Sequence, residues 1–395
     1  MPGGVRRLAL LACWLLAGAL VAAGCASFPE ASDSDWRDKP EFEFEAGPQP
    51  PVPNLPGDPN APQIPGLPAP PPPNEPPRPP EGCRDFDPRV VATCLEPVGA
   101  IVALPGSTAA IVAERTTGRL LRVELGAPPV QIGQLQVDPA GGGGVTGLAL
   151  SPSYAEDELI YAYITTATDN QVVRMAPGDT AKPVLPGIPR GATGNGGGLA
   201  TDSKGALLVV TGDAGNPLAA TDPASLAGKV LRIDGFGRPA KDNPTPGSAV
   251  ISSGLHQPAG LCVDPVGGSI WVTVRTPDRD ALYRINPGEP VGPPDWTWPQ
   301  RPDVAGCIAS NGILAVTLSK ESSVFVLRNG PDGAFTGRPE TVLRDVFGRY
   351  HAAAPAPNGL WWLGTVNKAG GKPVSSDDRV VLVAPPVSGG GGGID

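Results

Sequence analysis

The chain of 395 residues contains two histidines, His256 and His351, and their scarcity limits the chemistry available to it. A zinc protease needs two histidines one helical turn apart beside a glutamate, and no HExxH stretch occurs. No Gly-x-Ser-x-Gly elbow is present to expose a serine nucleophile. Both histidines begin short β-rich runs, so each is read either as part of a site lining or as a satisfied turn residue. Asp213 stands in Thr211-Gly212-Asp213-Ala214-Gly215, where its carboxylate meets a ligand or caps its own turn. The run Gly141 to Gly144 would cradle a phosphate only ahead of a helix N-terminus. The residues after it, Val145 to Leu150, read as a strand, so the run is taken as a turn. Trp296, Trp298, Trp361 and Trp362 either stack on a sugar or fill a core.

The compartment follows from the first residues. Arg6 and Arg7 precede an apolar run from Leu8 to Ala23, which is short for a membrane span and fits a signal peptide over residues 1–24. Val21-Ala22-Ala23-Gly24-Cys25 resembles a bacterial lipobox, whose small residues admit the peptidase before a diacylated cysteine. Two acyl chains on Cys25 would anchor the chain stably. An oxidising, extracytoplasmic location at the cell membrane is the expectation. With Cys13 removed and Cys25 acylated, Cys83, Cys94, Cys262 and Cys307 remain, and four cysteines allow three pairings. Cys83 with Cys94 and Cys262 with Cys307 is favoured: the first pair closes a short loop, and the second joins equivalent positions of consecutive repeats. The spacing contains no CxxC, so no metal site is expected.

Seventeen prolines fall between Gly47 and Pro80. Proline lacks a backbone donor and no packed core holds such a density. Residues 25–82 therefore read as a lipidated, acidic and proline-rich stalk, reaching roughly 100 Å if its 34-residue tract is fully extended as polyproline II. Residues 389–395 read as a glycine-rich tail. The formal charge is −9, and most of it lies in the stalk, where ten acids face three bases in residues 26–82. The nearly neutral remainder offers no basic patch to release counterions from a nucleic acid, which excludes that partner class.

Residues 83–388 repeat. Turns align at Leu104-Pro105-Gly106-Ser107, Ser151-Pro152-Ser153-Tyr154, Asp202-Ser203-Lys204-Gly205, Asp264-Pro265-Val266-Gly267, Ser310-Asn311-Gly312 and Ala356-Pro357-Asn358-Gly359, at intervals of 47, 51, 62, 46 and 46. The long interval is assigned to a loop from Asp242 to Ser252. Short alternating runs between the turns read as strands. A four-stranded unit cannot cover both its faces alone, so units of this length stack radially. The expectation is an all-β, six-bladed β-propeller with minimal helix. Its ring would close where Arg89 to Cys94 joins Val380 to Val383; a double β-sandwich would not explain the repeat.

Several segments then resemble, in order, the glucose/sorbosone dehydrogenase family: Gly147-Leu148-Ala149-Leu150-Ser151-Pro152, Gly194-Asn195-Gly196-Gly197-Gly198-Leu199, Thr211 to Gly215, Leu226 to Asp234, and Gly254-Leu255-His256-Gln257-Pro258-Ala259-Gly260. The resemblance implies a six-bladed propeller holding pyrroloquinoline quinone (PQQ) over its channel and oxidising sugars, usually with calcium. The layout of lipobox, stalk and domain resembles mycobacterial envelope lipoproteins.

The departures from that family matter more. Where the family places a catalytic histidine, this chain has Gly194, which offers no general base. Gly142 replaces an acidic or amide residue, and His256-Gln257 replaces the Arg-Asn pair that holds the quinone. Only Pro277, Asp278 and Asp280 match the calcium positions. The resemblance thus implies no catalytic residue and no expected cofactor, with Asn195, Asp213, His256, Gln257, Asp278 and His351 as ligand-contact candidates. The function read from it is a lipid-anchored envelope propeller binding a small ligand or an envelope protein. The alternative is a PQQ- and calcium-dependent sugar or aldehyde dehydrogenase with a rearranged base, for which His256 stands nearest.

Overall fold

The computed structural model describes residues 78–386 apart from positions 107, 331 and 332. The signal peptide, Cys25, most of the stalk and the tail 389–395 lie outside the described residues. Runs such as Ile270-Trp271-Val272-Thr273-Val274 place β-branched and aromatic side chains on both faces of a strand, which suits a sheet buried on two sides. Six four-stranded antiparallel sheets result. Their first strands are Val98–Ala103, Val145–Leu150, Gly197–Thr201, Gln257–Val263, Val304–Ser310 and Tyr350–Pro355. Each touches the first strand of the next blade, the sixth touching the first, so the ring is closed around a channel. The six turns aligned in the sequence all join a first strand to a second, which is why their period survives. Helix among the described residues is confined to one α-turn, Tyr154–Asp157, and two short 3₁₀ turns.

The core is divided among the interfaces between blades. Six clusters of buried apolar residues each draw on two neighbouring blades, for example Val112, Leu121, Trp362 and Leu382 between the first and sixth. Trp298 packs edge-on against Phe325, with centroids 5.3 Å apart, between the fourth and fifth. Trp361 and Trp362 are buried and Trp296 packs on Phe325 and Phe335, so these tryptophans fill cores and none stacks in the channel.

Closure occurs where it was expected. Val90–Ala92 pairs antiparallel with Val380–Val383 as the outer strand of blade six. The approach to that strand is pinned by the Cys83–Cys94 disulfide and by Arg379, which bridges Asp85 at 3.1 Å and Asp377 at 2.8 Å. The Cys262–Cys307 disulfide joins the first strands of blades four and five. One expectation changes. Val250–Ser253 is the outer strand of blade three, pairing with Lys229–Ile233, and not part of a loop. The extra length of that blade lies instead in the segments 212–228 and 234–249, which carry only short turns.

Neighbouring first strands approach so closely that side chains are excluded between them. A Cβ on Gly99 would lie 2.1 Å from the Val145 carbonyl oxygen, and one on Gly260 would lie 2.4 Å from that of Ala305. Gly147 and Gly306 stand at matching places in their blades, where a Cβ would come within 2.7 Å and 2.6 Å of neighbouring backbone. This waist of bare backbone separates a polar mouth, where the first strands begin, from an apolar opposite end lined by Ile101, Leu148, Leu199 and Leu261.

Candidate functional site

The mouth holds a cavity of about 340 Å³. Its wall combines bare backbone at Gly141, Gly142, Gly194 and Gly196 with the side chains of Arg115, Thr146, Thr193, Gln257, Arg275 and His351. Those residues come from five blades, and β-bulges help to aim them. The pairing of blade six shifts register between Tyr350 and Ala352, leaving His351 as the extra residue turned to the channel; blade two shifts likewise around Thr146. His351 borders both the mouth and the waist. Burial, and then the charges of Arg115, Arg275 and Arg349, hold its pKa well below the ordinary histidine value, so its imidazole is neutral at pH 7.

The arginines are the strongest electrostatic feature of this mouth. Arg115 follows the second strand of blade one and donates to the carbonyls of Gly142 (2.6 Å) and Gly143 (3.0 Å). Arg275 ends the second strand of blade four, in register with Gln257, and donates from Nε to the Val304 carbonyl at 2.7 Å. Asp303 meets Arg275 at 3.0 Å and Arg349 at 3.4 Å. Burial and then the charge of Arg275 lower the Arg115 pKa, which Asp303 opposes. For Arg275, burial lowers it, Asp303 and Asp280 oppose, and Arg349 adds to the lowering. None of these arginines stood out in the sequence. An arginine that ends an apolar strand is an ordinary strand end there, and only closure of the ring brings positions 115, 275 and 349 together.

The sequence-derived candidates divide. Gln257 and His351 line the cavity. His256 and Asp213 sit beside it as a pair, His256 Nδ1 lying 3.1 Å from Asp213 Oδ2, with the imidazole half-exposed and the carboxylate buried. Asp213 also accepts from the Gly215 N–H at 2.9 Å, so it caps its own turn while it orients the histidine. The segment that carries it is held by Lys229, whose ammonium donates to the carbonyls of Ala219, Ala220 and Ala227 at 2.8–2.9 Å. Asn195 lies behind the cavity wall. Its side chain is fully buried and accepts from the Gly191 N–H at 2.8 Å, while Nδ2 donates to the carbonyls of Gly191 and Ala140, so its amide locks two loops. Asp278 lies on an exposed turn, bound by Thr276 at 2.6 Å and paired with Arg279, outside the cavity wall.

Position 194 decides what the mouth can do. Gly194 has φ +68°, in the left-handed region that L side chains enter at a cost. A Cβ there would stand 2.6 Å from Asp213 Oδ1 and 2.9 Å from the Gly215 nitrogen. The place for a base is thus filled by the Asp213 turn. Among the described residues no three of His, Cys, Asp and Glu come together to hold a metal ion. Asp280, the remaining acidic match to the calcium positions, is engaged by the backbone N–H groups of Asp303 and Val304 at 2.7 and 3.0 Å.

Residues 96–307 match the glucose/sorbosone dehydrogenase family. The chain belongs to that family. It is similar to the PQQ-bound aldose sugar dehydrogenase of Streptomyces coelicolor, at 30% identity and a TM-score of 0.70, over 75% of this chain and 96% of that one. It is also similar to a putative glucose dehydrogenase of Thermus thermophilus, at 32% identity and a TM-score of 0.68, over 74% of this chain and 98% of that one. The aldose sugar dehydrogenase YliI of Escherichia coli is 27% identical over 177 residues, so the match spans 40% of this chain and about half (48%) of that relative's length. The residues that this member presents do not fit a working PQQ and calcium centre: position 194 has no room for a base, and the acidic residues at the calcium positions are dispersed.

The crowding at position 194 has a measurable consequence. Gly194→Ala destabilises the protein by at least about 1–2 kcal/mol, the cost of a left-handed alanine before any displacement of Asp213. Denaturant unfolding of wild type and variant checks this, and a neutral substitution would mean that the backbone relaxes to admit a side chain.

Proposed function

We propose that this member of the family is a lipid-anchored propeller of the cell envelope that binds a ligand or protein partner at its channel mouth without oxidising sugars. The observation that carries the reading is Gly194, left-handed and packed against Asp213 where the family resemblance calls for a histidine. General-base catalysis contributes about 10²- to 10⁴-fold in rate, and the one carboxylate packed against that place, Asp213, is already engaged by the Gly215 N–H and His256. Anchoring rests on the sequence of the first 25 residues, where a signal peptide ends in small residues and Cys25 ahead of the proline-rich stalk. In this reading PQQ and calcium have no part in the role.

One observation favours the dehydrogenase alternative. A buried carboxylate orienting a half-exposed imidazole, as Asp213 does with His256, is an arrangement that general bases use. It lies at the rim, however, and His256 is not among the residues of the cavity wall.

Dye-linked oxidation separates the two readings. The detergent-solubilised full chain, supplied with PQQ and calcium, reduces dye with glucose or other aldoses no faster than a protein-free control. Aldose-dependent reduction that disappears in His256→Ala would establish the alternative. For the anchor, Cys25→Ala moves the protein from the detergent phase to the soluble fraction. Persistence in detergent at the mature size would contradict acylation.

A further inference from the structure

We propose that the channel mouth is an anion site, in which the guanidinium groups of Arg115 and Arg275 hold the carboxylate or phosphate group of a small molecule above His351. The inference rests on the binding reading given above and names the ligand's chemical class.

The charges at the mouth are not balanced. Three guanidiniums, those of Arg115, Arg275 and Arg349, gather near His351. Asp303 is shared between Arg275 and Arg349, and Asp280 is engaged by backbone N–H groups. Arg115 has no carboxylate partner among the described residues; its hydrogen bonds go to the Gly142 and Gly143 carbonyls. On Arg275, Nη2 is buried without a hydrogen-bond partner although the residue lines the cavity. An unmade bond on a buried charged donor is costly, and buried donors are seldom left so. The arginines remain charged at neutral pH and repel one another through a poorly solvated space.

An anion placed between them corrects all three defects. It accepts from the orphaned Arg275 donor, supplies the missing counter-charge to Arg115, and offsets the mutual repulsion. Guanidinium forks match carboxylate and phosphate oxygens in a way that a sugar hydroxyl does not. Neutral His351, whose imidazole makes no hydrogen bond among the described residues, adds a donor or acceptor without adding charge. The cavity of about 340 Å³ sits at the lower end of small-molecule pockets, so the ligand is small. Beneath the mouth the channel narrows to a space of about 50 Å³, too small for the same ligand.

Calorimetric titration of the detergent-solubilised full chain at pH 7 and low salt tests the site with citrate, inorganic phosphate and glucose 6-phosphate, and with glucose as the uncharged control. At least one anion binds saturably, with affinity that falls as sodium chloride is added, while glucose gives no saturable heat. Citrate alone would assign a carboxylate ligand, and glucose 6-phosphate or phosphate alone a phosphate ligand. Arg115→Gln and Arg275→Gln each weaken binding by about 10- to 100-fold, the loss of one charge-assisted hydrogen bond. Arg275→Lys keeps part of the affinity. If one glutamine variant fails to fold, as judged by circular dichroism, the other carries the test. Failure of all three anions to bind, or unchanged affinity in the folded variants, would overturn the proposal. These outcomes are independent of sugar oxidation, on which the proposed non-catalytic role stands or falls.

Discussion

Close backbone contact around the channel is the constraint from which the rest of the structure follows. Neighbouring first strands meet closely around one axis, and glycine at positions 99, 147, 260 and 306 leaves room for that approach. At this waist the channel narrows to a space of about 50 Å³. Above it the strands begin, bulge and diverge, which opens the cavity and turns His351 and Thr146 inward. Below it lies an apolar end that presents no comparable set of polar side chains. The site is therefore a property of the ring, and each of its charged residues arrives from a different blade.

On the proposed reading, the same constraint separates what this family member keeps from what it gives up. Residues that shape a blade remain, such as Lys229 with its three carbonyls, because removing a buried ammonium's partners or the ammonium itself would release the segment 212–228. Residues that would serve a reaction bear no such load. At position 194 the change extends beyond a missing side chain: the backbone is left-handed, and the Asp213 turn fills the vacated place. The same turn brings Asp213 to 3.1 Å from His256. Arg115 and Arg275 converge on the cavity, which on the proposed reading suits it to charge recognition.

The blade count, the closing strand and both disulfides could be read from the sequence because each depends on local or periodic signals. The turns at Asp202 and Asp264 recur wherever a first strand must reverse, and Cys262 and Cys307 occupy matching strands of adjacent blades. The site was only partly legible. Asn195 lies within the motif that marks the mouth, yet its amide faces the loop backbone, a distinction that sequence neighbours do not encode. Asp278 matches by spacing but projects from an exposed turn. Arg115 and Arg275 are separated by 160 positions and meet only through ring closure, so no local pattern announced them. Val250–Ser253 was hidden by a loop rich in proline and glycine that precedes it.

The claim that the fold persists without its oxidation chemistry is tested most directly by a single turnover, because no dye or recycling step then intervenes. The full chain is mixed anaerobically with PQQ and calcium, an excess of glucose is added, and quinone absorbance is followed. The expected trace is flat, the same with and without sugar. A sugar-dependent loss of the oxidised quinone band, proportional to the protein present, would contradict the account.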